Sequence, residues 1–429
     1  MKLGPNSFKT DLGGFGISAI FNFFKEVLLK GWADLLFTKL YYHKYYRKIN
    51  MLYYIGMLLT SFIKISYQNC LKPILFKCDP EYIHDRHTKL GDFLGSNFVT
   101  KNITKSLFRY DNEKYLSQNV LGIKFSNPIG LSAGFDKDAR LINILNDVGF
   151  GFMQIGSITL DSYQGNAKPR LIRLPKSNAL VVNYGLKNIG VDKIMPILNN
   201  RKDKDFKIGV SIAKTNSEKC SDTKGGVEDY TECFGKVIKS NNSDFYTINI
   251  SCPNTFGGEP FNEKSKLEKL LISITKIKRE KPIFIKMPIN LNWEKFESLL
   301  KVIIKYKIEG VVIGNLDKSR NLVNTKDLLD KDAKGGISGY PTWELSNKLI
   351  SKTYSKYGKD LVIIGTGGIF TAEDAYEKIK RGSTLVQLIT GMIFCGPQTI
   401  GEINKGLVRL LKSDGFNNIY EAIGTKNDG

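Results

Sequence analysis

The chain has 429 residues, enough for one large domain with an extension or for two ordinary ones, and its 42% hydrophobic content supplies a substantial core. The formal charge of +21 points to an anionic partner, but the excess is lysine-rich and spread along the chain with no arginine-dense block, which argues against nucleic acid. The six cysteines form no C-x-x-C pair and no compact zinc or iron–sulfur spacing, so no metal site is expected and reduced thiols in a reducing compartment are the simplest reading.

Residues 1–48 read as a leader. Within it, 13–24 is an uncharged run of 12 residues, too short to span a bilayer, and a basic end follows from Tyr41 to Lys48. An interfacial helix or a targeting segment fits this pattern, with a disordered leader as the alternative. Residues 49–63 form a 15-residue uncharged run. As a helix it covers roughly 22 Å, against about 30 Å of hydrocarbon. Continued past Lys64 to Leu71 it is long enough if Lys64 snorkels, so 49–71 is expected to be a membrane anchor, monotopic or spanning.

Residues 72–99 turn amphipathic. Asp79-Pro80-Glu81 is a helix start, with Asp79 as N-cap and Pro80 at the first helical position. Ile83, Leu90, Phe93 and Leu94 can share one face, with His84, Arg86, His87 and Lys89 among the polar positions. Such a segment is placed either to cover a hydrophobic ligand or to pack on the main domain as ordinary core.

Between 100 and 412 the rhythm changes. Short apolar runs recur at 128–131, 152–155, 208–212, 245–250, 283–285, 310–313, 361–364 and 385–389. Helical candidates lie between most of them, at 139–148, 229–239, 264–278, 293–305, 342–354 and 372–380. The alternation predicts an α/β fold, a (β/α)8 TIM barrel with an N-terminal helical extension, and a doubly wound open sheet is the alternative. Residues 413–429 are left as a C-terminal tail.

The unusual polar residues fall just after these strands: Lys137, Ser157, Ser211, Lys214, Asn249 through Thr255, Lys286 and Asn315. Barrel active sites lie at the C-terminal strand ends, so the clustering reads as functional. In the fourth segment Asn249, Cys252, Asn254 and Thr255 sit at or beyond a strand end that Pro253 terminates. Amides there can frame a planar ligand, and the Cys252 thiol can remove a proton. A turn with a structural cysteine is the bland alternative for this motif alone. All three histidines precede residue 88, which leaves Cys252 few competitors as a general base. Gly365-Thr366-Gly367-Gly368-Ile369 follows the seventh strand and Thr390-Gly391 the eighth, where such barrels hold phosphate, and 335–339 is a further glycine-rich loop.

With these blocks in this order, the chain resembles the dihydroorotate dehydrogenase family over about residues 73–411. The resemblance rests on 127–138, on Gly-Asn-Ala-Lys-Pro-Arg-Leu-Ile-Arg-Leu-Pro at 165–175, and on 249–255, 335–341, 365–369 and 386–391. The Asp-Pro-Glu helix start behind an anchor looks like the membrane-associated, quinone-using class. This implies oxidation of (S)-dihydroorotate to orotate in pyrimidine biosynthesis, FMN as cofactor, and a membrane quinone as acceptor. It also implies an anionic membrane surface, mitochondrial inner or bacterial cytoplasmic.

By matching position, the resemblance makes Cys252 the base at C5 of dihydroorotate, while FMN takes the hydride from C6. It gives the substrate to Lys137, Asn249, Asn254 and Asn315, with Asn183 and Thr255 beside them. Ala133, Gly134, Lys137, Ser157, Ser211, Asn249 and Lys286 would contact the flavin, and Gly336, Gly367, Gly368, Thr390 and Gly391 would cradle its phosphate. His84 and Arg173 would face the quinone.

Several positions depart from the family pattern. The quinone class has Ser where this chain has Cys252, and Val182 stands where the family has an orotate-binding Asn, with Asn183 one position later. Leu186 replaces a Phe, Ser211 an Asn, Leu316 a Thr and Ile389 a Tyr. A fumarate- or other soluble-acceptor dehydrogenase therefore stays open, as does a non-catalytic, membrane-tethered barrel that binds a phosphate ligand.

Overall fold

The computed structural model describes residues 60–427 except 257, 259, 322, 325, 326, 328 and 331, within the compact unit Thr60–Gly429. The expected leader, and the 49–59 portion of the expected anchor, lie outside the described residues.

Eight parallel strands close into a barrel: β1 (Ile129–Leu131), β2 (Phe152–Ile158), β3 (Lys207–Ile212), β4 (Phe245–Asn249), β5 (Ile283–Met287), β6 (Gly310–Ile313), β7 (Val362–Thr366) and β8 (Leu385–Leu388). Each pairs with the next in sequence, and β8 returns to β1 through Val386↔Ile129. The fold is the (β/α)8 barrel, not the open sheet. The helices outside it follow from their apolar spacing. In Trp293–Lys305, Asn292 caps the Lys295 N–H at 3.1 Å, and Phe296, Leu299, Leu300 and Ile303 form one fully buried stripe.

One expected helix is largely replaced. Of 139–148 only Leu145–Val148 is helical. The buried Asp136 carboxylate accepts from the Arg140 and Leu141 N–H groups at 2.9 and 2.8 Å, and Ala139 is left-handed with φ 60°. That wraps the chain into a loop where the apolar pattern alone reads as helix.

Strand parity explains what fills the barrel. Alternate residues point inward, so Phe245, Thr247 and Asn249 of β4 form a column from bottom to top, beside Phe284 and Lys286 of β5. At the bottom, Phe152, Phe245 and Phe284 meet Phe125, which belongs to a hairpin (Gln118–Val120, Ile123–Phe125) capping that end. Their centroids are 5.3–6.4 Å apart in edge or tilted contact. A methyl on Gly130 or Gly209 would come within 2.3 Å of these rings, so glycine is what makes room for the plug. Midway, Gln154 Nε2 donates to Thr247 Oγ1 at 3.0 Å. At the top the same columns end in Ser132, Ser157, Asn249 and Lys286.

Two additions sit at that upper end. One is an antiparallel sheet of Leu171–Leu174, Ala179–Val182 and Gly336–Gly339. The other is the extension: helix α1 (Pro80–Ser96), capped by Asp79 Oδ1 on the Tyr82 N–H at 2.7 Å, then helix α2 (Phe98–Phe108). The N-cap is where the sequence puts it, but the apolar face is not. Leu90 and Phe93 are 52% and 64% exposed, while His84 turns inward to meet Phe135 edge-on at 4.8 Å. Tyr82, Phe98, Val99 and Ile103 are also exposed, giving the extension an outward apolar surface. Residues 60–71 continue as helix, with a π-turn at Tyr67–Leu71; among the described residues no helix is long and apolar enough to cross a membrane.

Candidate active site

The upper end of the barrel holds a cleft open to solvent, with about 1240 Å³ of empty volume. It gathers Ala133, Gly134 and Lys137 from the loop after β1, Ser157 from β2, Asn249 from β4, and Cys252 and Asn254 from the loop beyond. Lys286 from β5, Asn315 from the loop after β6, Gly367 and Gly368 after β7, and Thr390 and Gly391 after β8 complete the floor and far wall. His84 of α1 closes one side, and Leu171, Leu180, Val182 and Ile389 make an apolar stretch beside it.

A chain of amides and hydroxyls fixes the floor. Asn249 Nδ2 donates to Ser157 Oγ at 2.8 Å, and Ser157 shares a 2.8 Å hydrogen bond with Ser211. Asn249 Oδ1 accepts from Ser251 N and Oγ at 3.1 and 2.9 Å, and Asn315 Nδ2 donates to Ser251 O and Oγ, both at 2.7 Å. Two amides, one ending β4 and one from the loop after β6, thus meet on Ser251, one residue before Cys252. Cys252 itself is half-buried, and no disulfide forms among the described residues, which hold all six cysteines.

Two lysines charge the cleft. Lys286 is buried, with Ser132 Oγ at 3.5 Å; burial pushes its ammonium down to about 8, against the pull of the Cys252 thiolate. Lys137 lies 4.1 Å over the Tyr184 ring, and burial, then the neighbouring Lys187 charge, pushes it down to about 8. His84 is held down to about 3 by burial and then by the Lys137 and Lys187 charges, so its imidazole is neutral at physiological pH.

The glycine cradle is shaped by close approach. A methyl on Gly391 would come 2.0 Å from the Ile369 carbonyl, and one on Gly367 2.8 Å from Thr342 Oγ1. Bare backbone therefore faces the cleft at Gly367, Gly368 and Gly391, beside the first turn of the helix Trp343–Tyr357.

Five residues given substrate, flavin or quinone roles from the sequence fall outside the cleft lining. Ser211 is fully buried behind Ser157. Thr255 lines a small adjoining cavity with Lys214 and Tyr230, and its hydroxyl donates to Gly258 O at 2.8 Å. Gly336 packs against Leu316 within the antiparallel sheet. Arg173 stacks on Phe76 at 4.8 Å and donates to Cys78 O at 2.8 Å, tying the residues before α1 to the sheet. Asn183 accepts from Asn166 Nδ2 at 3.2 Å while its neighbour Val182 faces the cleft. Alternation along Ala179–Val182 explains the last case, since adjacent residues cannot face the same way.

Sequence reasoning missed Glu81, Arg170, Tyr184 and Lys187. Glu81 and Arg170 form a buried ion pair between α1 and the loop before the antiparallel sheet, and Lys187 adds a 3.0 Å contact to the same carboxylate. Burial alone would raise Glu81, but hydrogen bonds from Arg170 and Lys187 outweigh it and pull the carboxyl down to about 2. A Glu in a first helical turn reads as a helix-dipole residue, so nothing in the sequence marks its partner.

The family model for dihydroorotate dehydrogenase matches residues 115–411. Among curated relatives, the dihydroorotate dehydrogenase (quinone) of Trichodesmium erythraeum is 34% identical over 380 residues, covering 84% of this chain and 99% of the relative. That of Christiangramia forsetii is 36% identical over 354 residues, covering 80% and 98%. The crystal structure of DHODH in complex with ferulenol from Eimeria tenella is similar at a TM-score of 0.71 and 28% identity, over 82% of this chain and 96% of that one.

Proposed function

The chain belongs to the dihydroorotate dehydrogenase family, and on that premise we propose that it oxidises dihydroorotate to orotate, using bound FMN, and delivers the electrons to a membrane quinone. One observation carries the reading. Cys252, three asparagine amides and two lysines converge in a single cleft with a bare-backbone cradle at its far side.

The residues present fit FMN. Gly367, Gly368 and Gly391 leave backbone where a Cβ would collide with Thr342, Trp343 or Ile369, which suits a phosphate. Lys286 is a buried cation whose hydrogen-bond partner is a neutral hydroxyl, which suits the electron-rich edge of an isoalloxazine. Bound there, FMN supplies the two-electron acceptor for the hydride leaving C6.

The chain's own residues do the rest. Lys137 pairs with the substrate carboxylate, and Asn249, Asn254 and Asn315 meet the C=O and N–H edges of the ring. Asn254 Nδ2 rests on the Val182 carbonyl at 2.8 Å, a bond it can exchange for one to a ligand. The Cys252 thiolate takes the C5 proton, and the Lys286 charge favours that thiolate. Dihydroorotate thus loses one proton and one hydride, which leaves the C5–C6 double bond of orotate.

The acceptor side is supported by α1 and its surroundings. Neutral His84, Leu171, Leu180 and Ile389 give an apolar approach to the cleft, and the outward apolar residues of α1 and α2 suit a lipid surface. The lysine excess favours an anionic leaflet. Steady-state assays with dihydroorotate and either a short-chain ubiquinone or fumarate test this assignment. Turnover with the quinone and not with fumarate is expected; the reverse would make this a soluble-acceptor enzyme despite its relatives.

A further inference from the structure

The helix Ala372–Lys380 contains a lysine that the chemistry above does not use. Lys378 is fully buried, and its ammonium donates to Ser346 Oγ at 2.5 Å and to Asn347 Oδ1 at 2.9 Å. Both acceptors are neutral. Among the described residues no carboxylate lies within ion-pair distance of Lys378. The three carboxylates on its own helix are paired elsewhere, Glu373 with Arg409, Glu377 with Arg381 and Lys426, and Asp374 with the Phe370 and Thr371 N–H groups, though Asp374 and Glu377 still pull Lys378 up from a distance. A buried cation with no counter-ion is costly, and burial pushes this one down to about 7. Such a group is rationalised if an anion comes to it.

A place for an anion lies one residue beyond the lysine's partner, at the glycine cradle. Ser346, the direct acceptor from Lys378, stands in the first turn of Trp343–Tyr357, and its hydroxyl oxygen would lie 3.2 Å from a methyl on Gly367. Gly367 lines the cleft, so one hydroxyl separates the Lys378 ammonium from the cradle backbone. Ser346 Oγ also donates to Trp343 O at 3.1 Å, which leaves its lone pairs to the lysine. Among the described residues the buried Asn347 Nδ2 meets no acceptor, so the protein itself places no negative group on that side.

We propose that Lys378 is the countercharge for the phosphate of the flavin nucleotide, acting from beneath the cradle through Ser346. It touches neither substrate nor flavin and is a positioning residue: it sets the electrostatic potential of the cradle. The phosphate dianion in turn favours the charged ammonium, so cation and ligand stabilise each other across the Gly367 backbone. The proposal rests on the FMN reading above.

The test compares FMN with riboflavin, which lacks the phosphate. Full-length protein stripped of flavin is titrated with each, and binding is followed by quenching of flavin fluorescence. Lys378→Met removes the charge. Asn347→Asp keeps the shape and neutralises the lysine with an adjacent carboxylate. Both variants are expected to lose about tenfold in FMN affinity, the equivalent of ~1.4 kcal/mol, while riboflavin affinity stays at the wild-type value. Unchanged riboflavin binding also reports that the fold is intact, which separates an electrostatic role from a structural one. An FMN-to-riboflavin ratio in Asn347→Asp equal to wild type overturns the proposal, whatever Lys378→Met does. Wild-type protein that binds FMN no better than riboflavin overturns the phosphate reading itself, and this proposal with it.

Discussion

Glu81 and Arg170 hold each other through both carboxylate oxygens, with Arg170 Nε at 3.0 and 2.9 Å and a second guanidinium nitrogen at 2.6 Å. The pair joins the first turn of α1 to the loop that leads into the antiparallel sheet. From Arg170 the connection runs inward. Its guanidinium also donates to Asn166 O at 3.0 Å, and Asn166 Nδ2 donates to Asn254 O at 3.0 Å. The helix over the cleft and the loop after β4 are therefore parts of one hydrogen-bonded frame.

Glu81→Gln should loosen that frame at the helix end. Breaking a buried pair from one side leaves a buried, uncompensated guanidinium, typically a loss of roughly 3 kcal/mol, here softened because the amide retains one acceptor. Urea denaturation should show the lower stability. In the folded fraction the KM for quinone should rise more than the KM for dihydroorotate. A variant with wild-type stability would show that the Gln164 and Asn166 carbonyls, together with solvent, already satisfy Arg170.

Cys252→Ala should bind FMN normally and lose flavin reduction by about 10²–10⁴-fold, the usual cost of removing a general base. Cys252→Ser should keep part of the rate with a displaced pH profile, because the hydroxyl is a far weaker acid than the thiol. Stopped-flow reduction by dihydroorotate checks both; a wild-type rate in the Ala variant assigns the base elsewhere.

Lys137 gives a pH dependence with a definite sign. Its ammonium is charged below about 8 and neutral above, so the orotate carboxylate loses its partner as pH rises through that value in the free enzyme. Orotate affinity should therefore fall above pH 8, and Lys137→Ala should bind weakly throughout with the alkaline limb removed. A flat titration from about pH 6 to about pH 9.5, bracketing the free-enzyme value, would place the carboxylate away from Lys137.

The Val182 position separates facing from adjacency. Val182 lines the cleft and Asn183 does not, so Asn183→Ala should leave orotate affinity within about threefold. Val182→Asn should tighten it, by an amount on the order of one neutral hydrogen bond, about 1 kcal/mol. Orotate-induced changes in the flavin spectrum give both constants.

The barrel was legible because its strands are short, apolar and evenly spaced; Gly310–Ile313, Trp293–Lys305 and Ala372–Lys380 fall where the pattern puts them. The residues after those strands were legible for the same reason, since parity and strand order carry Lys137, Asn249, Cys252 and Lys286 to one end. What was not legible depends on partners distant in sequence. The Asp136 carboxylate unwinds an expected helix, and Arg170 recruits Glu81 across 89 residues. Leu90 and Phe93 look like a buried stripe but face outward, because α1 packs through His84, Glu81 and its small residues instead. The three-stranded sheet escaped because Leu171–Leu174 carries Arg173, Gly336–Gly339 is bounded by glycines, and Gly336–Gly339 pairs with Ala179–Val182 from far along the chain.

The most direct measurement is anaerobic titration of the purified, full-length protein with dihydroorotate while the flavin absorbance is recorded, followed by addition of a ubiquinone analogue. The account requires bleaching at about one equivalent of dihydroorotate per flavin, appearance of orotate, and recovery of the oxidised spectrum on adding the quinone. A protein that carries flavin yet keeps its full absorbance in excess dihydroorotate would contradict it.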